Sequence, residues 1–230
     1  MPQPAMHSER RTSVDDVFDT LHEQIVTLQL KPGDRISEAE IAAQFGVSRQ
    51  PVRDAFSRLA NLDLLLIRPQ RATEVRRFSM RQIEKARFIR SSIEKEVLRR
   101  AAKLCDKNGQ TLLRAALAEQ KAAVAAKDVE RFGQLDYEFH KVLCGIAQVD
   151  YAFEVILVEK AKVDRLCMLG LEKEQRMPEL LADHREIAEA IIGHDADAAI
   201  DAGLKHLSRL DATIERITET NANFFEDATS

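Results

Sequence analysis

The sequence predicts a mainly α protein in two parts, a unit of three helices closed by a small β-hairpin and then an all-α antiparallel helical bundle. Three observations carry that expectation. Between Ser37 and Leu59 two short helical patterns meet at Gly46. Leu64 to Ile67 and Thr73 to Val75 then read as two short strands. From Ser79 to about residue 220 the apolar residues recur only at helical spacing.

Residues 1–12, MPQPAMHSERRT, are polar and proline-containing and read as a disordered arm. Ser13 with Asp16 reads as the cap of a first helix carrying Val17, Leu21, Ile25 and Leu28, which the turn Lys31-Pro32-Gly33-Asp34 stops. Ser37 and Glu40 form an S-x-x-E start for a second helix with Ile41, Ala42 and Phe45 on one face. Gly46 breaks it and supplies the backbone angles of the corner, while the small Ala42 and Ala43 allow close helix approach. Val47 is expected inside, and Ser48 caps a third helix with Val52, Ala55, Phe56 and Leu59. The two strands flank Pro69-Gln70-Arg71-Ala72. Residues 13–77 thus predict a winged helix-turn-helix. Its third helix offers Ser48, Arg49, Gln50 and Arg53 where such a helix meets base edges and phosphates, and its wing offers Arg68, Gln70 and Arg71.

The same segment can be read as a structural helix pair with surface arginines, and the charge distribution separates the two readings. The whole chain carries −4. Residues 44–77, however, hold seven arginines against Asp54, Asp63 and Glu74, a local balance of +4. Basic charge concentrated on the third helix and wing suits phosphate binding, while the acidic remainder repels DNA. Arg10 and Arg11 in the arm add two cations of the kind many tails carry.

After Arg77 the expectation is a helical domain over 78–220 and a tail over 221–230, whose Phe224 and Phe225 can pack back onto the bundle. Ser79 and Gln82 repeat the capping pattern. Breaks at Lys107-Asn108-Gly109, Lys127-Asp128, Val149-Asp150, Glu172 to Pro178 and Gly193-His194-Asp195 delimit six helices, about 80–106, 110–126, 129–147, 151–171, 178–192 and 196–220. Short links imply antiparallel neighbours.

Within the bundle, Asp136 and His140 stand four apart, so their Cβ atoms lie on one face roughly 6 Å apart. His184 and His206 lie on the two arms of the hairpin broken at Gly193, about 12 Å and 15 Å from the turn at ~1.5 Å per residue, and so nearly level. One carboxylate and three imidazoles suit one divalent ion per chain, with zinc favoured and nickel or manganese also compatible. A lone histidine is more often a surface or core residue, so only the four together point to a metal. Arg90 is the one charge in the stripe Ile83, Ala86, Arg90, Ile93, Val97, Ala101, Leu104 and needs an anionic partner. Glu94 one turn on would make an internal salt bridge; the alternative partner is the carboxylate of a small ligand. Arg165, on a face with Val155, Val158 and Leu169, is a second candidate for that role, although Lys162 interrupts its stripe.

The chain has 230 residues, 45% hydrophobic and 31% charged, ordinary proportions for globular domains. It contains no run of eighteen apolar residues and no apolar N-terminal signal region, so the expectation is a cytoplasmic protein without membrane contact. Cys105, Cys144 and Cys167 are widely spaced and never in a C-x-x-C pair, which argues for reduced core residues rather than a disulfide framework or thiolate zinc site.

The segment LKPGDRISEAEIAAQFGVSRQPVRDAFSRL resembles the PG-x-x-L-x-E-x-x-LA-x-x-x-GVSR-x-PVR-x-A-x-x-RL pattern of the GntR family of bacterial transcription regulators. Arg90-x-x-x-Glu94, Asp136-x-x-x-His140, His184 and His206 are similar in order and spacing to the family branch with a helical FCD ligand-binding domain. The resemblance covers about residues 14–215. It implies DNA contacts from Ser48, Arg49, Gln50 and Arg53 and a metal site at Asp136, His140, His184 and His206. It also implies a homodimer on a pseudo-palindromic double-stranded DNA operator, most often a repressor, answering a small carboxylate effector such as a sugar acid. The chain departs from the pattern at Ala72, where a wing glycine is usual, at Leu62-Asp63-Leu64 in place of Glu-Gly-Leu, and at Gln148-Val149-Asp150, which lacks a common asparagine. Two rival readings suit the same residues: a metal-dependent hydrolytic enzyme with a DNA-binding module, for which no general base is evident beyond the four ligands and Glu138, and a constitutive DNA-binding dimer without effector.

Overall fold

A computed structural model describes residues 12–167 and 173–226. They form two compact units, one reaching to Phe78 and including the chain from Asn223 onward, the other Ser79–Ala222. The arm residues Arg10 and Arg11 and the stripe residue Leu169 lie outside the described residues.

The first unit contains α1 (Ser13–Val26), β1 (Arg35–Ile36), α2 (Glu38–Phe45), α3 (Arg49–Asn61), β2 (Leu65–Leu66) and β3 (Thr73–Val75). The expected cap of α1 is displaced by one residue: Thr12 and Asp15 form the reciprocal capping box, not Ser13 and Asp16. Leu28 is not on the α1 stripe, because the helix has ended and Leu28 stands in the left-handed region at φ 62°. Val17, Leu21 and Ile25 of α1 pack with Val52, Ala55, Phe56 and Leu59 of α3, and Ile36, Ile41, Ala42, Leu65 and Val75 complete the core. Each large side chain buried there contributes about 1.5–3 kcal/mol.

The corner between α2 and α3 shows why glycine is needed. Gly46 has φ 64°, and a Cβ built on it would meet nothing within 4 Å. The requirement is backbone conformation, not space. Ser37 accepts from the N–H groups of Ala39 and Glu40, whereas Ser48 and Ser79 occupy N-cap positions without a side-chain cap bond.

The hairpin proves to be part of a three-stranded antiparallel sheet in the order β1-β3-β2. Arg35 stands opposite Glu74, and Glu74 opposite Leu66. Gly33, at φ 91°, turns the chain into β1, and Gly33 N–H donates to the Val75 carbonyl at 2.8 Å. A two-residue strand is too short to show period-2 alternation and so carries no periodic signal.

The end of the chain also departs from expectation. Phe225 packs in the first unit: Phe78 N–H donates to the Phe224 carbonyl, Glu226 N–H donates to the Phe78 carbonyl, both at 2.8 Å, and the Phe78 and Phe225 rings lie 5.6 Å apart. Arg77 donates to the Asn223 carbonyl, and Arg76 stands 3.6 Å from Glu226.

The second unit contains α4 (Met80–Leu104), α5 (Lys107–Ala126), α6 (Val129–Ile146), α7 (Asp150–Cys167), α8 (Lys173–Ile192), α9 (Ala196–Ser208) and α10 (Asp211–Thr220). Asp106, Asp128 and Asp195 cap α5, α6 and α9 through their side chains. Two expected boundaries are corrected. The sixth helix is two, broken at Arg209 and Leu210 without glycine or proline, where the Arg209 guanidinium turns to Asp183 and Glu179. Helix α8 starts at Lys173 and runs through Pro178, which is therefore no stop. Val97, Leu98, Leu113, Phe139, Leu143, Ile156, Ile187 and Ile191 centre the core. At Gly203, α9 approaches α4 so closely that a Cβ would fall 2.2 Å from Leu98 Cδ1.

Candidate metal centre and nucleic-acid interface

Asp136 and His140 on α6, His184 on α8 and His206 on α9 meet in the interior of the bundle. One ligating atom from each residue falls within 4.8 Å of the others. All four are buried, and among the described residues His140 Nε2, His184 Nε2 and His206 Nδ1 have no hydrogen-bond partner. Three orphaned imidazole nitrogens within one buried cluster are costly unmet polar groups in a protein core. The donor set of three nitrogens and one oxygen fits a first-row divalent ion.

Neighbouring groups orient these side chains. Gln120, fully buried on α5, donates through Nε2 to the Leu135 carbonyl at 3.1 Å, which leaves its Oε1 facing His184 Nδ1 at 2.8 Å. An acceptor there requires the proton on Nδ1 and leaves the Nε2 lone pair aimed at the cluster. The Phe139 ring stacks on His184 at 4.3 Å. Glu94 plays a similar part for His140, with Oε2 3.1 Å from Nδ1. Asp183 stands 3.8 Å from His206 Nδ1 and accepts two bonds from Arg209.

Charge states follow from these contacts. Burial, then neighbouring His206, pushes His184 well below the usual histidine range, so it is neutral at pH 7. Burial would raise Glu94, but His140 and Arg90 outweigh it and hold the carboxyl at about 2. Burial would likewise raise Asp136, yet Lys160 and His184 keep it below the ordinary carboxylate range. The two oxygens of Asp136 are divided, Oδ1 lying 3.4 Å from His184 Nε2 and Oδ2 3.0 Å from Lys160 Nζ.

Of the two arginines singled out in the sequence, Arg90 is buried and pairs with Glu94, its Nε and Nη2 both 2.8 Å from Oε1. The internal salt bridge is therefore present. Arg90 also lines a cleft of about 210 Å³ with Arg87, Phe88, Ser91 and Leu204. Arg165 is buried as well, which pulls its pKa down to about 10. Its expected face is corrected: Val155 and Val158 are exposed, and Ile156, Val163 and Leu166 turn inward. Leu104 likewise leaves the Arg90 stripe, being exposed near the end of α4.

Gln120 and Lys160 were missed, though a signal existed. Gln120 interrupts the stripe Leu113, Gln120, Ala123, and Lys160 interrupts Ile156, Lys160, Val163, as Arg90 interrupts its own. Lys160 is held by Asp136 and by Asp164 at 2.7 Å and lies 4.1 Å over the Tyr137 ring.

In the first unit Ser48, Arg49, Gln50, Arg53, Arg68, Gln70 and Arg71 are all exposed. Their partners differ. Arg53 bonds Glu38 at 2.8 Å and Gln50 bonds Asp54 at 2.9 Å. Arg58 is taken by Asp15 at 2.8 Å and covers the Phe18 ring at 4.0 Å, so it ties α3 to α1. Arg76 pairs with Asp63 and Arg77 with Glu74. Gln70 and Asp63 adopt φ 58°, the left-handed conformation that glycine adopts most readily. The wing thus turns at Gln70, not at Ala72.

A winged helix-turn-helix joined to an all-α unit with a buried ligand cluster defines a two-domain transcription regulator. Residues 13–75 match the bacterial regulatory proteins of the gntR family and residues 86–209 match the FCD domain. The chain belongs to the GntR family, in the branch that carries an FCD domain. It is 35% identical over 211 residues to the HTH-type transcriptional repressor RspR of Escherichia coli (strain K12), covering 92% of each chain. It is 27% identical to a probable D-xylose utilization operon transcriptional repressor of Paenarthrobacter nicotinovorans, covering 86% of this chain and 87% of that one. The fold is shared with E. coli McbR/YncC, with a TM-score of 0.65 at 19% identity, covering 90% of this chain and 99% of that one. As a member of this family the chain is a transcription regulator and not an enzyme. No helix among the described residues is long and apolar enough to cross a membrane.

Proposed function

We propose that the protein is a cytoplasmic, homodimeric repressor that binds a double-stranded DNA operator and answers a small organic acid, of the sugar-acid type, through a metal site in its helical domain. The observation that carries this reading is the buried cluster of Asp136, His140, His184 and His206 with its three unpaired imidazole nitrogens. Those residues would hold one divalent ion, zinc in preference to nickel or manganese, and the ion when bound supplies coordination positions for an anion.

The chain's own residues supply the rest. Gln120 and Glu94 hold His184 and His140 with their lone pairs inward. Lys160 retains one oxygen of Asp136 and leaves the other for the cluster. Arg90 spends its bonds to Glu94 through Nε and Nη2, so donors remain for a carboxylate in the adjoining cleft. Arg165 offers a second buried cation. A ligand pulling Arg90 away from Glu94 would shift α4, giving the two states differential ligand affinity. Ser48, Arg49, Gln50 and Arg53 read the major groove, and Arg68, Gln70 and Arg71 follow the backbone, with Arg53 and Gln50 exchanging Glu38 and Asp54 for DNA. The exposed Tyr151, Val155 and Val158 share one face of α7, which a second copy can cover. Repression follows the names of the two relatives, and the sugar-acid class follows the family resemblance.

Elemental analysis of untagged protein tests the central point. About one divalent ion per chain is expected, lost in the His184→Ala/His206→Ala variant while duplex DNA binding is retained. No metal in either protein after supplementation removes the ion from the mechanism.

A further inference from the structure

Strand β1 carries Arg35 to the edge of the wing, a position the sequence did not mark. In register Arg35 faces Glu74, whose carboxylate is taken by Arg77 at 3.2 Å. The side chains of Arg35, Arg68 and Arg71 have no ion pair or hydrogen bond among the described residues. All three nevertheless line one cleft of about 320 Å³, closed by Leu66, Ala72 and Glu74. Like charges around a single cleft repel one another, and the guanidinium fork matches phosphate oxygens in pairs. Such an arrangement is stable against its own repulsion when an external anion sits among the three. The other arginines of the unit, Arg53, Arg58, Arg76 and Arg77, are each assigned to an acid of the fold, and Arg49 lies on the recognition helix.

We infer that Arg35 is a DNA-backbone contact, closing with Arg68 and Arg71 a phosphate site at the base of the wing. The inference rests on the DNA-binding reading of this unit and adds to it a residue from a strand outside both the recognition helix and the wing. A backbone contact carries no sequence information, so its loss weakens every duplex alike.

The test is fluorescence anisotropy of the full chain on two unrelated labelled duplexes between 50 and about 200 mM salt. Arg35→Ala is compared with wild type and with Arg216→Ala, which removes the same charge from the exposed surface of α10. The expected result for Arg35→Ala is equal weakening on both duplexes and a fall of about 0.9 in the slope of log K against log salt, with Arg35→Lys restoring most of the slope. Arg216→Ala should leave the slope unchanged. A slope for Arg35→Ala equal to wild type, with a thermal melt showing an intact fold, overturns the assignment. Thermal stabilisation by inorganic phosphate that depends on Arg35 while the DNA slope does not would also overturn it, giving the cleft to a free anion. Failure of wild type to bind any duplex at low salt would instead sink the DNA-binding reading on which it rests.

Discussion

Replacing Gln120 by Leu keeps volume and removes the one acceptor that fixes the tautomer of His184. Gln120 is fully buried, and its amide orientation is set independently by the Leu135 carbonyl. In the variant the His184 Nδ1–H has no acceptor at 2.8 Å. An unmet buried donor costs about 1–3 kcal/mol, and the imidazole can escape that cost by moving its proton to Nε2, where it blocks the cluster. Loss of such a supporting hydrogen bond weakens metal affinity by about 10- to 100-fold, or roughly 1.4–2.7 kcal/mol. Competition against a chromophoric zinc chelator reads the affinity, and circular dichroism melts with and without zinc read the coupled stability. The metal-induced rise in melting temperature should shrink in Gln120→Leu and survive in Gln120→Glu, whose protonated carboxyl can donate to the Leu135 carbonyl and still accept from Nδ1. Equal zinc affinity in wild type and Gln120→Leu would refute the reasoning, because His184 would then not depend on Gln120 for its ligating lone pair.

Two further outcomes follow from packing and burial. Gly203→Ala should destabilise the bundle by about 1–3 kcal/mol, read from denaturant midpoints, because the new Cβ meets Leu98, itself buried and unable to swing into solvent; a rise in stability from helix propensity alone would contradict the close approach. In a Cys167→Ser background, Cys144 should resist a disulfide reagent at pH 8 until the protein unfolds, since burial pushes its thiol up to about 12, and Cys105, raised for the same reason, should follow it; rapid reaction of either in the folded protein would show that the core opens readily.

Legibility in the sequence tracked the length and regularity of each pattern. The stripe Val52, Ala55, Phe56, Leu59 and the glycine corner at Gly46 located the helix pair because each carries a local physical requirement. The four cluster residues were recoverable because an i,i+4 pair fixes two of them on one face and an antiparallel hairpin levels the other two. Strand β1 was invisible because two residues define no period. The break at Arg209 was invisible because its cause is tertiary, a guanidinium drawn to Asp183 and Glu179 from another helix. At Gln120 and Lys160, as at Arg90, a polar residue within an apolar stripe marks a buried group with a partner to find.

The bridge between Phe78 and Phe225 makes the helical domain, in chain order, an insertion within the winged-helix unit, which releases the chain after Phe78 and takes it back at Asn223. Drawing together the ends of a free segment of that length would cost about 4 kcal/mol of closure entropy. The two backbone hydrogen bonds and one ring contact of the bridge are worth roughly 2–4 kcal/mol, no more than that cost, so closure from a free chain would draw on the burial of Phe78 and Phe225. The folded bundle meets the closure cost beforehand by holding the start of α4 near the end of α10, where the Thr218 hydroxyl donates to Met80 Sδ at 3.7 Å. The bridge is therefore a latch that a folded bundle makes easier to close, and melting either terminal helix would loosen Phe78 and the tail of the DNA-reading unit together.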